Sequence, residues 1–381
     1  MTEIPRRNVT AKNEGVFCFL LVDREKKETA AKNPAKAGLF VLGDVNMKNM
    51  KGYIEHPGKA VETGGKFEHV MAISLDPRTG YKEGVIRCIA SRSGDVATSG
   101  YIDRSVLHRV HGNSLERFSV GERLIIKNQE EIVAQLSSNG TDFLGLEDPD
   151  IFIDEKTGLM HLYFTMPFHK HEKHGMLIHL GHAVGHDLDS LEMTAPVLLD
   201  TGAVSAKELS IAPLKSNGVR YNLVESSIKE QDFDYSTVRI AIAEDMGKPW
   251  KFGETVFHPK EHGIPWIGGH ASPGPLFPRS FIDVGEGKLL GVLNGREANR
   301  RVDDEIQYGM FSVGLFIYDY ENGKIDWVSP EPFIQDSAAR TITFASQFVE
   351  QGKGRGILYA HVDDSFVRAY TLNAEEIKKV I

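Results

Sequence analysis

Cysteine is almost absent from this chain: 381 residues carry only Cys18 and Cys88. That excludes a disulfide framework and a Cys-x-x-Cys metal or redox motif, and it suggests a reducing compartment. Long apolar runs are missing too. Val16–Val22 is much shorter than the roughly 20 residues a membrane-spanning helix requires, and basic residues follow it at Arg24, Lys26 and Lys27. The first fifteen residues are polar and do not resemble a secretory signal, so a cytoplasmic location is expected. Positive charge is in deficit, with 44 Lys and Arg against 53 Asp and Glu for a net charge of -9, which argues against nucleic acid or an anionic membrane as partner. No glycine-rich phosphate loop leads into a helix, and no Gly-x-Ser-x-Gly elbow occurs. No cofactor is implied.

What is present is β-rich sequence punctuated by glycine turns. Strand-like runs flank turns at Asp76–Gly80, Asp154–Gly158, Lys215–Gly218, Asp283–Gly287 and Glu350–Gly354. The turn glycines Gly80, Gly158, Gly218, Gly287 and Gly354 stand 78, 60, 69 and 67 residues apart. The first strand of each hairpin is expected at Phe67–Leu75, Ile151–Ile153, Leu209–Leu214, Pro275–Ile282 and Thr341–Val349. The second is expected at Val85–Ala90, Leu159–Thr165, Val219–Val224, Lys288–Leu293 and Gly356–Ala360. Further strand-like sequence follows, as at Leu177–Val184, Thr237–Ala243 and Ser312–Tyr318. Five repeats of two hairpins predict an all-β fold, a five-bladed β-propeller with a central axial funnel, formed by residues 1–381 as a single domain. Lys26–Lys36 reads as a loop, and Asn373 as the N-cap of a short C-terminal helix reaching Ile381.

The turn glycine serves as a ruler across the repeats. Asp148 stands ten residues before Gly158, and Glu208 ten before Gly218, so the two should occupy equivalent places in adjacent blades. On the returning strands Thr165, Glu225, Asn294 and His361 each stand seven after the glycine. Arg296, Asp363, Asp364, His270 and Arg92 neighbour the same level. Glu147, Asp148 and Asp150 crowd a single strand start around Pro149, and like charges so close are costly unless solvated or used. Singly, most of these residues are ordinary structural polar groups. Together, Asp148, Glu208 and Glu225 at an axial funnel suit glycoside cleavage, where one carboxyl donates a proton and another activates water or attacks. The histidines at 169, 171, 174, 179, 182 and 186 do not by spacing alone converge on a metal, and the His169–His174 segment reads as a solvated connection.

At this point the sequence resembles a known family. Gly145-Leu-Glu-Asp-Pro-Asp is similar to the Gly-Val-Glu-Asp-Pro-Arg segment of glycoside hydrolase family 130, the five-bladed β-mannoside phosphorylases and mannosidases. Ile178–Leu191, Tyr308–Tyr320, Trp327–Pro332 and Tyr359–Asp363 follow in the family's order, so the likeness runs from about residue 80 to the C-terminus, with residues 1–66 apart from it. Propeller families 43, 32 and 68 share the Asp-Pro strand start. The resemblance implies that Asp148 is the general acid, reaching the glycosidic oxygen through a sugar hydroxyl; by the glycine ruler, Glu225 or Glu208 is the expected base. By their positions along the repeats, Glu147, Asp150, Arg92, Lys207, His270, Asn294, Arg296, His361 and Asp363 are expected around the substrate. Phosphorolytic relatives hold phosphate with cations. Here the motif's Arg is Asp150, the family's His-Arg is Val224-Glu225, and its Tyr-His-Gly is Leu293-Asn294-Gly295. These changes point to an inverting exo-hydrolase of a short oligosaccharide, with β-mannosides as the model substrate. A phosphorylase using Arg92, Lys207, His270 and Arg296, a furanosidase, and a non-catalytic carbohydrate- or protein-binding propeller stay open, as does a homo-oligomer.

Overall fold

The computed structural model describes residues 52–98, 100–137, 140–171, 175–202, 204–230, 233–302 and 305–381. Most of their strands pair into antiparallel four-stranded units that follow one another in chain order. The first comprises Val70–Leu75, Glu83–Ser93, Ile102–Ser114 and Arg117–Arg123. The second runs Glu147–Ile153, Met160–Lys170, Met176–Gly185 and Glu192–Met193. The third has Lys207–Ser210, Arg220–Glu230, Phe233–Ala243 and Lys251–Phe257. The fourth has His270–Leu276, Lys288–Arg296, Phe311–Asp319 and Lys324–Val328, and a single parallel bridge, Ser236 to His270, links it to the third. The fifth is built from Thr343–Gly352, Arg355–Val362 and Phe366–Asn373, and its outer strand is Tyr53–Glu55. The first strand of each unit touches the first strand of the next, and the fifth touches the first, so the ring closes. This is a β-propeller. Sharing the last unit between the two ends of the described chain leaves no open seam in the ring.

Each pair of neighbouring sheets shares one apolar cluster. Met160, Leu162 and Phe164 meet Val85 and Leu107 between the first and second units. Tyr163 and Leu180 meet Val224 and Trp250 between the second and third. Leu223 and Ile240 meet Trp266, Leu293 and Phe316 between the third and fourth, and Phe277 meets Phe348 and Leu358 between the fourth and fifth. Ile73 and Ile86 meet Ile357 and Tyr359 across the closure. Strands apolar on both faces, such as Met160–Phe168, are therefore sandwiched between two sheets, and each large side chain buried there contributes roughly 1.5–3 kcal/mol.

The five hairpins fall where the glycine spacing puts them. Gly80, Gly158, Gly218, Gly287 and Gly354 all have positive φ, from 67° to 82°, which glycine adopts without steric cost. Several strand limits differ from the expected ones. The first strand of the fourth unit is His270–Leu276, not residues 275–282, because Pro278 starts a turn whose carbonyl accepts from the Phe281 and Ile282 amides. In the third unit the first strand is Lys207–Ser210, ahead of the expected 209–214. Asn373 caps a C-terminal helix through the Glu375 and Glu376 amides, but the helix is only Ala374–Ile377. The Lys26–Lys36 stretch lies outside the described residues.

Candidate active site

The first strand of every unit carries an irregularity of register, at residues 71–73, 147–150, 207–209, 273–276 and 345–347, and that of the fifth carries a second at residues 350–352. In the first three units a non-glycine residue there takes a left-handed backbone: Ala72 at φ 46°, Asp148 at 46° and Glu208 at 51°. Such a conformation costs an L-residue roughly 1–2 kcal/mol, and bulges of this kind re-aim side chains beside active sites. Here the outcome is that Asp148 and Glu208, from adjacent units, line the same axial cavity of about 760 Å³. The glycine ruler therefore places both correctly.

On the second strands the ruler positions are Arg87, Thr165, Glu225, Asn294 and His361, which pair with Met71, Glu147, Lys207, Ser272 and Phe344. Arg87, which anchors two carboxylates of the candidate site, is a residue that sequence reasoning missed, although it stands seven after Gly80 and the same ruler finds it. Its guanidinium donates to Asp148 Oδ1 at 2.9 Å, to Glu147 Oε1 at 2.7 Å and to Ser105 Oγ at 3.0 Å. Burial, with the charge of Asp148, pushes the Glu147 carboxyl up to about 7 against the pull of Arg87. Burial and Asp148 likewise push Asp150 up to about 8. Asp150 is held by the Leu209 backbone and does not line the cavity. Burial, then Asp148, raise Glu208 well above the usual carboxyl range.

Glu225 is only 1% exposed. Lys207 Nζ lies 3.2 Å from one of its oxygens and His270 Nε2 lies 3.0 Å from the other. Burial alone would raise its carboxyl, but His270 and Lys207 outweigh that and hold it well below the usual range. Lys207, His270, Arg296 and His361 do line the cavity. Arg296 lies over the Tyr308 ring at 4.2 Å and beside Phe311 at 5.3 Å, and has no carboxylate within ion-pair distance among the described residues. His361 stacks on Phe344 and lies 3.1 Å from Asp364.

Three expected site residues serve the scaffold instead. Arg92 forks onto Asp103 at 2.7 Å through each of two nitrogens. Asn294 is fully buried and ties the fourth unit to the fifth through both backbone groups of Ala345. Asp363 accepts from the Arg340, Thr341 and Ile342 amides. Sequence reasoning also passed over Tyr101, Ser236 and Tyr308, and over the hairpin formed by Arg300–Val302 and Glu305–Gln307, from which Arg301 and Ile306 line the cavity. None carries a repeat signature, because they come from connections and later strands. The histidines separate: His179 and His182 are buried in the Met176–Gly185 strand, His171 lies 3.1 Å from Asp142, and His174 is outside the described residues.

No family model matches the sequence, and no curated protein matches it. Solved structures do match by fold. A beta-1,2-mannobiose phosphorylase from Listeria innocua, in complex with beta-1,2-mannobiose, is similar at TM-score 0.55 and 14% identity over 86% of this chain and 92% of that one. A mannose phosphorylase from Leishmania mexicana in complex with phosphate ion scores 0.47 at 14% identity, covering 87% of each chain. A GH32 beta-fructofuranosidase from Bombyx mori scores 0.47 at 14% identity, covering 85% of this chain and 62% of that one. At 14% identity, the likeness to the first of these, at TM-score 0.55, establishes the fold alone.

Proposed function

We propose that this chain cleaves a glycosidic bond of a short oligosaccharide in the axial cavity, by hydrolysis, with Asp148 and Glu208 as its acid–base carboxyls. The observation that carries the reading is the pair itself, forced into one cavity by two left-handed bulges. One member, Glu208, binds its proton more tightly than an ordinary carboxyl, while the other is held by a guanidinium. Two carboxyls with diverging environments are what acid-assisted departure of a sugar leaving group needs. The resemblance gives the acid role to Asp148. The electrostatics favour Glu208 as the proton carrier and Asp148 as the charged neighbour that keeps the proton there.

Water is the proposed acceptor because the Lys207 charge is matched by Glu225 and burial keeps His270 neutral, which leaves little free positive charge for a dianion on that wall. Asp150 and Asn294, which the sequence argument also counted against phosphate, do not line the cavity and drop out of it. Phosphorolysis remains a second reading, favoured by Arg296, which lines the cavity without a carboxylate partner among the described residues. A panel of oligosaccharides, headed by beta-1,2-mannobiose, incubated with and without phosphate tests both. Free sugars released without phosphate support hydrolysis. A sugar phosphate formed only when phosphate is present moves the assignment to phosphorolysis. Ligand binding with no turnover, unchanged in Asp148→Asn, would make the chain a carbohydrate-binding propeller.

A further inference from the structure

The buried Glu225 is difficult to explain as a residue that meets substrate, because its oxygens already face Lys207 and His270. Its second-strand position in the third unit lies behind the cavity wall, while His270, at the start of the fourth unit, is part of that wall. The two are drawn together by the Ser236–His270 backbone bridge, and the Ser236 hydroxyl also bonds to Glu225. Glu225 Oε2 and His270 Nε2 are both buried, neither has a hydrogen bond of standard geometry among the described residues, and they lie 3.0 Å apart. Buried polar atoms require a partner, so these two satisfy each other. That places the imidazole proton on Nε2 and leaves the Nδ1 lone pair without a hydrogen bond among the described residues. The Phe311 ring packs edge-on at 4.8 Å and fixes the ring plane.

We propose that His270 is the general base of the reaction, taking a proton from the attacking water through Nδ1, and that Glu225 is a positioning residue that sets its tautomer. The inference rests on the glycoside-hydrolysis reading above. In the step, a water lone pair forms the bond to the anomeric carbon, and that water's proton passes to His270 Nδ1. The bond from the anomeric carbon to the glycosidic oxygen breaks with its electron pair moving to that oxygen, which takes the proton of Glu208. Afterwards the imidazolium releases its proton to solvent and Glu208 regains one. The charged groups around the imidazole are Glu225, Lys207 and Arg296; burial leads, and with the two cations it outweighs Glu225 and lowers the ring to about 4. The ring is therefore in its basic form at neutral pH.

The test uses full-length protein on a glycoside that the wild type cleaves. His270→Ala should lower kcat by about 10²–10⁴-fold, the usual range for losing acid–base assistance, with KM and melting temperature near wild type. Added imidazole should restore part of the lost rate by occupying the vacated space. Glu225→Gln should move the acid limb of the kcat/KM profile to lower pH, since Glu225 raises the proton affinity of His270, and should lower kcat as well. Full turnover in folded His270→Ala overturns the proposal while leaving the glycosidase reading intact. So does a Glu225→Gln variant that melts earlier with an unmoved acid limb, because that marks Glu225 as purely structural. Turnover only with phosphate removes water as the attacker and the base role with it. A wild type that cleaves no glycoside overturns the underlying reading itself.

Discussion

Replacing Arg87 by methionine removes the guanidinium that touches both Glu147 at 2.7 Å and Asp148 at 2.9 Å, and leaves a side chain of similar reach without charge. The three side chains are only 11%, 14% and 9% exposed, so solvent cannot replace the lost partner. Breaking one partner from a buried ion pair costs about 3–5 kcal/mol, because the remaining charge is left uncompensated. At roughly 2 °C per kcal/mol for a domain of this size, melting should fall by about 6–10 °C at pH 8. The pH dependence carries the sharper signature. Glu147 already binds its proton more tightly when folded than when unfolded, which lowers stability as pH rises from the ordinary carboxyl value towards about 7. Without Arg87, whose charge pulls the other way, Glu147 should bind its proton more tightly still in the folded state. The folded state then carries more protons than the unfolded one above about pH 4.5, the ordinary glutamate value, so the deficit should grow from pH 5 to pH 8. Thermal unfolding of wild type and variant at those two pH values, followed by circular dichroism, measures it. Turnover should fall as well, because Asp148 loses its anchor. A deficit equal at both pH values, or a melting temperature unchanged at pH 8, would refute the reasoning.

Glu208→Gln should lower turnover by about 10²–10⁴-fold and abolish the basic limb of the pH–rate profile, since the raised carboxyl is the group that loses its proton there; a persisting basic limb would remove it from the acid role. Asp148→Asn should lower kcat over a similar range of about 10²–10⁴-fold while the fold persists, read as kcat beside the melting curve. Gly158→Ala should cost about 1–2 kcal/mol in denaturant unfolding with activity retained, because open space surrounds the site and only φ 70° opposes the substitution. Alanine at both His169 and His171 should leave turnover unchanged, as neither lines the axial cavity, and an activity assay beside the wild type checks it.

Much of the fold was legible because its signals are local. A glycine at positive φ between two runs that are apolar on both faces is set by residues within ten positions of each other, so the turns at Gly80, Gly158, Gly218, Gly287 and Gly354 were readable one by one. Their repetition then placed Asp148 and Glu208 at one level without any knowledge of contacts, and it placed His361 there by the same spacing; Arg87 stands at the matching position of the first unit but was passed over. Strand limits were less readable: Pro278 ended a run that looked continuous, and the Asp-Pro and Lys-Glu bulges altered register where the sequence showed none.

The sequence by itself determined the hairpins and the side-chain chemistry available near the axis. Only the tertiary structure decided which polar groups face the cavity and which are consumed behind it. Arg92, Asn294 and Asp363 looked like site residues by position, yet they satisfy Asp103, the Ala345 backbone and the Arg340–Ile342 amides. Glu225 looked like a free base, yet Lys207 and His270 hold it. The reason is that a buried polar group must find a partner wherever the fold brings one close, and in a closed ring some of those partners come from another unit. Arg87 and Asp148 are 61 residues apart, and Asn294 and Ala345 are 51. Alternation along a strand tells which face a side chain takes, but not what the neighbouring sheet places opposite it.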